Sequence, residues 1–222
     1  MSPLPAAVLW DMDGTLLDTE RYWIQAEYDL VAEHGGQWSD EHALAVVGRD
    51  LRDTARYLQT RGGVDLPVDD VVNRLMDGVI AGLRVASPWM PGALALLAAL
   101  GQAGVPCALV TMSWRRLADE VTALLPPGTF AATIVGDEVS SGKPHPEPYL
   151  CGARALGVPA SDCVAIEDSP TGLASAEAAG CTTVAVPNML ALPAAPRRFV
   201  VASLVDVTPL WLGGLLTAQS AR

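Results

Sequence analysis

The sequence predicts an α/β fold, a parallel-sheet core interrupted after its first strand by an all-helical insert. Three observations predict it. Beyond residue 89, short apolar segments alternate regularly with segments of helical period. Between residues 18 and 89 the texture changes to successive helix-period segments with no convincing strand. The apolar run Val8–Trp10 precedes that change, so the sheet begins before the insert and resumes after it.

The elements follow in order. Val8–Trp10 reads as a short buried strand ended by Asp-Met-Asp-Gly. Helical periodicity then covers 22–33, 40–46, 51–59 and 68–83, with "HGG" and "RGGVDLP" as turns between them. After "SPWMPG", helices are expected at 93–100, 115–125, 146–156 and 172–179, and strands at 106–110, 133–135, 164–166 and 183–186. A last strand near 199–202 precedes a C-terminal helix. The core is thus expected to comprise residues 1–17 and 90–222, and the helical insert residues 18–89.

Composition narrows the function. Of 222 residues half are apolar, enough for a sizeable core, and the formal net charge is −11. With no long basic run, nucleic acid and an anionic membrane surface are not expected partners. A small anionic substrate stays open, because a bound cation reverses the local field. Cys107, Cys151, Cys163 and Cys181 form no Cys-x-x-Cys pair and match no zinc spacing, which suits core thiols in a reducing cytoplasm. No basic n-region opens the chain, so no signal peptide is expected. The most apolar window, 93–110, is broken by Gly101, Gly104 and Pro106 and reads as helix, turn and strand rather than a membrane span.

In open parallel sheets ligands gather at the carboxyl ends of the strands. Asp11 and Asp13 follow the first strand here, and Thr111, Met112 and Ser113 the second. "GDEVSSGKPHPEPY", with Lys143, follows the third, and Glu167 and Asp168 follow the fourth. The fifth ends at Pro187 with nothing reactive. Taken singly, each motif has a structural explanation: a turn for Asp-x-Asp, a helix cap for "EDSPTG". The "GKP" is no phosphate-binding Walker loop, since Pro144 stands where Ser or Thr is needed. Together, each at a strand end, they fit a magnesium-dependent phosphoryl site. Asp11 is the candidate nucleophile and Asp13 the candidate acid/base. Thr111 and Lys143 would hold the phosphoryl oxygens, and Asp11, Asp168 and the backbone carbonyl of Asp13 the metal.

These motifs resemble those of the haloacid dehalogenase-like superfamily of phosphohydrolases. "WDMDGTLLDTE" is similar to its first motif, "LVTMS" to the second, "SGKPHPEPY" to the third and "VAIEDSPTGLASAEAAG" to the fourth. The resemblance spans the chain and is nearest the β-phosphoglucomutase-like and sugar-phosphate phosphatase members. It implies a Rossmann-like core with an inserted helical cap domain, Mg²⁺ as cofactor, and a small phosphorylated metabolite as substrate. It implies Asp11 as nucleophile, Asp13 as acid/base, and Thr111, the adjacent Met112 and Lys143 as phosphoryl binders. Asp11, Asp13, Glu167 and Asp168 are implied around the metal, Glu167 directly or through water. Arg49, in "VVGRDLRDT", matches a cap position that contacts a substrate's distal anionic group. In the mutase a histidine stands where this chain has Trp23, which favours hydrolysis over a phosphomutase reaction; an idle binding protein of the same fold is the third alternative.

The resulting expectation is a monomeric cytoplasmic phosphatase acting on a sugar or polyol phosphate. His34, His42 and His145 lack ligand spacing and are expected on loops or in solvent. Asp18 or Thr19 is expected to cap the insert's first helix, and Glu147 and Tyr149 to fasten the helix after Lys143.

Overall fold

The computed structural model describes residues 4–193 and 195–220. Residues 1–3, 194, 221 and 222, assigned above to the core, lie outside the described residues. The chain separates into two compact units, one formed by the segments up to Leu17 and from Trp89 onward, the other by Asp18–Pro88.

The first unit is built on six strands, β1 (Ala7–Trp10), β2 (Cys107–Val110), β3 (Ala132–Ile134), β4 (Cys163–Glu167), β5 (Thr182–Ala185) and β6 (Arg198–Val200). All five pairings are parallel, in the order β3-β2-β1-β4-β5-β6. The α/β class expected from the alternation is therefore observed. From β1 the chain winds outward to one edge through β2 and β3, then returns to the other side of β1 with β4. The strand order reverses between β1 and β4, which is where an open parallel sheet leaves a crevice.

Both faces of the sheet are covered, as its continuous apolar strands require. Leu9, Ala108, Val110 and Ala165 pack on one face with Tyr149 and Ala153 of one helix and Ala176 of another. Those helices are Glu147–Ala155 and Pro170–Ala178. By the period-two alternation of strands, Val8, Trp10, Leu109 and Ile166 point the other way, and they are also fully buried.

The second unit holds four helices, α1 (Glu20–Glu33), α2 (Asp40–Val46), α3 (Leu51–Gly62) and α4 (Val68–Val85), and no strand. The buried residues of α4 (Val71, Val72, Leu75, Met76, Val79, Ile80 and Leu83) recur at three- and four-residue spacing, and this stripe packs α4 against α1 and α3. Asp50 caps α3 by accepting from the backbone N–H groups of Arg52 and Asp53. Thr19 occupies the N-cap position of α1, but its side chain makes no capping hydrogen bond to the helix. His42 is neither a loop nor a solvent residue: it lies in α2 with its ring 4.9 Å from Trp38 and 6.0 Å from Tyr57.

A buried acid gives this unit a pH dependence. Glu27 of α1 is 4% exposed and accepts a hydrogen bond from the Trp38 indole at 3.1 Å. Burial pushes its carboxyl up from the usual 4.5 to about 8, and the Trp38 hydrogen bond only partly opposes this. The folded chain therefore keeps a proton that the unfolded chain has already lost, so stability falls as pH rises from about 4.5 through about 8. Glu27→Gln stays neutral and still accepts from the indole. Its melting temperature should fall less than the parent's between pH 6 and pH 9, and at the alkaline end it should be the more stable by about 2–4 kcal/mol. Parallel melting curves across that range would contradict the assignment.

Among the described residues no helix is long and apolar enough to cross a membrane.

Candidate active site

The site forms at the carboxyl ends of β1, β2 and β4. The sheet ladder continues past the strand ends: the Asp11 N–H donates to Ile166, the Thr111 N–H to Ile134 and the Val186 N–H to Glu167. These bonds hold the last residues of neighbouring strands side by side, so their side chains leave the sheet together. After β1 the chain folds back at once. The Met12 carbonyl accepts from the N–H groups of Leu16 and Leu17, and the Gly14 N–H donates to Leu17. Gly14 has φ +83°, and a Cβ there would lie 2.1 Å from Asp168 Oδ2. Only glycine lets the turn pass so close to that carboxylate.

Asp11, Glu167 and Asp168 are all buried, and each offers a carboxylate oxygen within 4.8 Å of the others. Lys143 reaches into the group from the loop after β3. Its ammonium donates to Asp11 Oδ1 at 2.7 Å, to Glu167 Oε1 at 2.6 Å and to the Val110 carbonyl at 2.9 Å. Burial disfavours this ammonium, but the charges of Asp11 and Glu167 outweigh burial and hold its pKa above the ordinary lysine value. Asp11 goes the opposite way. Burial and then the Glu167 charge push it up from 3.8 to about 7, against the pull of Lys143. The Lys143 ammonium bonds Asp11 and Glu167, and a divalent cation would offset the repulsion that remains among the three carboxylates. Among the described residues Asp11 Oδ2 is buried without a hydrogen-bond partner, an acceptor suited to such a cation. The residues therefore fit a hard, oxygen-seeking divalent ion.

Glu167 is heavily bonded. Its Oε1 accepts from Lys143 and from the Tyr149 hydroxyl at 2.7 Å, and its Oε2 from the N–H groups of Asp168 and Ser169 and the Ser169 hydroxyl. A Cβ at position 172 would sit 1.8 Å from Oε1, so glycine there makes room for this carboxylate. Ser169 caps the following helix by accepting from the Gly172 N–H. Tyr149 thus supports the site from beneath, and Glu147 fastens the Lys143 loop by accepting from the N–H groups of Ser140 and Ser141.

The carboxylate of Asp13 is not one of that acidic trio. Its Oδ2 accepts from the Ser113 hydroxyl at 2.7 Å and from the Thr111 hydroxyl at 3.3 Å. Met112 lines the Lys143 loop, its sulfur accepting from the Lys143 N–H at 3.2 Å. Asp11, Asp13, Thr111, Met112, Lys143, Glu167 and Asp168 thus come together in one unit. Arg49 belongs to the other unit, where it is exposed with its guanidinium 5.6 Å from the Tyr57 ring centroid. Two nearby residues carry no role in the sequence reading, Ser113 and Asn188. The Asn188 amide lies 3.2 Å from the point where a Gly14 Cβ would stand. No spacing rule marks either one; only their position just after a strand could have done so.

The profile of haloacid dehalogenase-like hydrolases matches residues 8–186. The chain belongs to this family. Hexitol phosphatase A of Escherichia coli (strain K12) is 32% identical over 192 residues, covering 80% of this chain and 81% of that protein. A probable pseudouridine-5'-phosphatase of Drosophila melanogaster is 31% identical over 214 residues, covering 92% of each. The crystal structure of β-phosphoglucomutase from Clostridium difficile superposes with a TM-score of 0.86 over 99% of this chain and 100% of that one. At 19% identity that likeness speaks for the fold alone. In this haloacid dehalogenase-like hydrolase the four motifs read from the sequence lie at the carboxyl ends of strands of one parallel sheet.

Proposed function

We propose that the chain is a Mg²⁺-dependent phosphatase of a small phosphorylated metabolite, a sugar or polyol phosphate, working through an aspartyl-phosphate. The observation that carries the reading is the buried meeting of Asp11, Glu167, Asp168 and Lys143, in which negative charge exceeds positive and one Asp11 oxygen has no partner. Asp11 and Asp168, with the Asp13 carbonyl, would hold the metal. Glu167, its oxygens already accepting five hydrogen bonds, serves mainly to position Lys143. When bound, the ion supplies positive charge that keeps Asp11 ionised and offsets the phosphoryl charge.

The protein's own groups perform the rest. Lys143 and the Thr111 hydroxyl bind phosphoryl oxygens beside Asp11. A carboxylate oxygen of Asp11 attacks phosphorus, the bond from phosphorus to the substrate oxygen breaks, and the Asp13 proton passes to that oxygen, releasing the alcohol. Water then gives a proton to Asp13 and attacks the same phosphorus. The bond to Asp11 breaks and inorganic phosphate leaves. Arg49, exposed on the helical unit, is proposed as a contact for a distal anionic group of the substrate. The free thiols support a reducing, cytoplasmic setting.

A panel of sugar, polyol and nucleoside monophosphates, assayed for released phosphate with Mg²⁺ and with chelator, tests the reading. Release from one class, lost in chelator and restored by Mg²⁺, is the expected result. Isomerised sugar phosphate without free phosphate would replace hydrolysis by a phosphomutase reaction, and turnover undiminished in chelator would end the metal assignment.

A further inference from the structure

Thr111 and Ser113 both direct hydroxyls at Asp13, but not equally. The Ser113 oxygen lies 2.7 Å from Asp13 Oδ2, an ordinary strong O–H···O bond, whereas that of Thr111 lies at 3.3 Å, beyond the usual range for such bonds. Thr111 also accepts from the Ser113 N–H at 3.0 Å, which leaves its single hydroxyl proton for one acceptor at a time. That proton can move to a phosphoryl oxygen at little cost, because its bond to Asp13 is long. Ser113 is placed differently. It is buried, its N–H is held by Thr111, and its carbonyl accepts from the Gly136 N–H at 3.0 Å. A Cβ at Gly136 would lie 2.1 Å from the Met112 carbonyl, so the two loops are packed backbone to backbone here. The serine hydroxyl is therefore presented from a fixed backbone.

From this difference we infer that Ser113 is a positioning residue that holds the Asp13 carboxyl in line for proton transfer, while Thr111 serves the phosphoryl group. The inference rests on Asp13 being the acid/base of the proposed reaction. An acid that accepts a short bond from a rigid loop delivers its proton to a defined point; without that bond its carboxyl is less well aligned, and proton transfer slows.

The leaving group supplies the test. An alkoxide must be protonated as it departs, whereas p-nitrophenolate departs without a proton. The kcat/KM value covers only steps up to phosphoryl transfer, so it isolates the acid role. Sorbitol 6-phosphate and p-nitrophenyl phosphate are compared for the parent, Ser113→Ala, Ser113→Thr and Asp13→Asn. For Ser113→Ala, kcat/KM on the alkyl ester should fall at least about tenfold further than on the aryl ester, with the loss in kcat rather than KM. Ser113→Thr, which keeps a hydroxyl, should recover most of it. Equal losses on both esters, no loss, or no recovery in Ser113→Thr would overturn the inference and make Ser113 a phosphoryl binder or a packing residue. Asp13→Asn reports on the reading beneath. If it separates the two esters while Ser113→Ala does not, only the positioning role fails. If neither separates them, the acid/base assignment of Asp13 fails with it.

Discussion

Asp11→Asn should leave a folded protein with kcat lowered by about 10⁴-fold or more on the best substrate of the panel, since removing a nucleophile costs this much in enzymes with a covalent step. The substitution keeps the size and planarity of the side chain. Its carbonyl oxygen can still accept from the Lys143 ammonium where Asp11 Oδ1 does so at 2.7 Å. What is lost is the negative charge that attacks phosphorus. The variant also removes a carboxyl that burial pushes up to about 7, so without metal its stability should be less sensitive to pH. The sign follows from proton counts. Between the unfolded value of 3.8 and the folded value of about 7 the native chain holds the extra proton, so the metal-free parent loses stability as pH rises through that window. Asp11→Asn should lack this component. Turnover on the panel and metal-free melting between pH 4 and pH 8 check both halves, and substantial turnover in the variant would refute the covalent route.

Lys143→Met should strongly destabilise the core. The ammonium answers two buried carboxylates and a backbone carbonyl at 2.6–2.9 Å. Methionine fills much of the same volume but answers none of them. Removing one partner of a buried ion pair leaves an uncompensated charge, which costs about 3–5 kcal/mol and about 10 °C of melting temperature for a chain of this size. Turnover should fall about 10²–10³-fold, as for other lost electrostatic donors. The destabilisation should shrink in acid. Lys143 lowers the Asp11 pKa, so without it the Asp11 carboxyl titrates above about 7 and takes up a proton on mild acidification, relieving the charge. Melting curves at pH 8 and pH 5.5 in chelator decide this: an equal deficit at both values would mean that the lysine contributes packing rather than charge.

Much of this was legible in the sequence because the relevant physics is local. Among the described residues, alternation of apolar runs with helical periods marked the strands, and the α-helices given bounds, to within a few residues, including the four helices between residues 18 and 88. The short 3-10 helix Ala160–Asp162 is not among those expected, and the C-terminal helix is expected without bounds. Some boundaries shifted by a few residues. The helix expected from Gly172 begins at Pro170, because Ser169 caps it, and the helix expected to reach residue 125 ends at Thr122. The acids, the lysine and the threonine stood out because each follows a strand, and in a parallel sheet those ends share one edge.

The partners of those groups were not legible. Nothing near Glu167 in sequence announces that Tyr149 and Lys143 will bond to it, and nothing near Asp13 points to a serine 100 positions away. By itself the sequence determined which residues could carry the chemistry and that they would come from successive strand ends, since period and residue type are properties of short stretches. The order of the strands was left to the tertiary structure. By seating β4 on one side of β1 and β2 on the other, it brought Asp168 to Asp11, closed Lys143 over both Asp11 and Glu167, and set Ser113 beside Asp13. Burial and charge act through space rather than along the chain, so the pKa of Asp11 and the hold on Asp13 exist only once the strands are assembled.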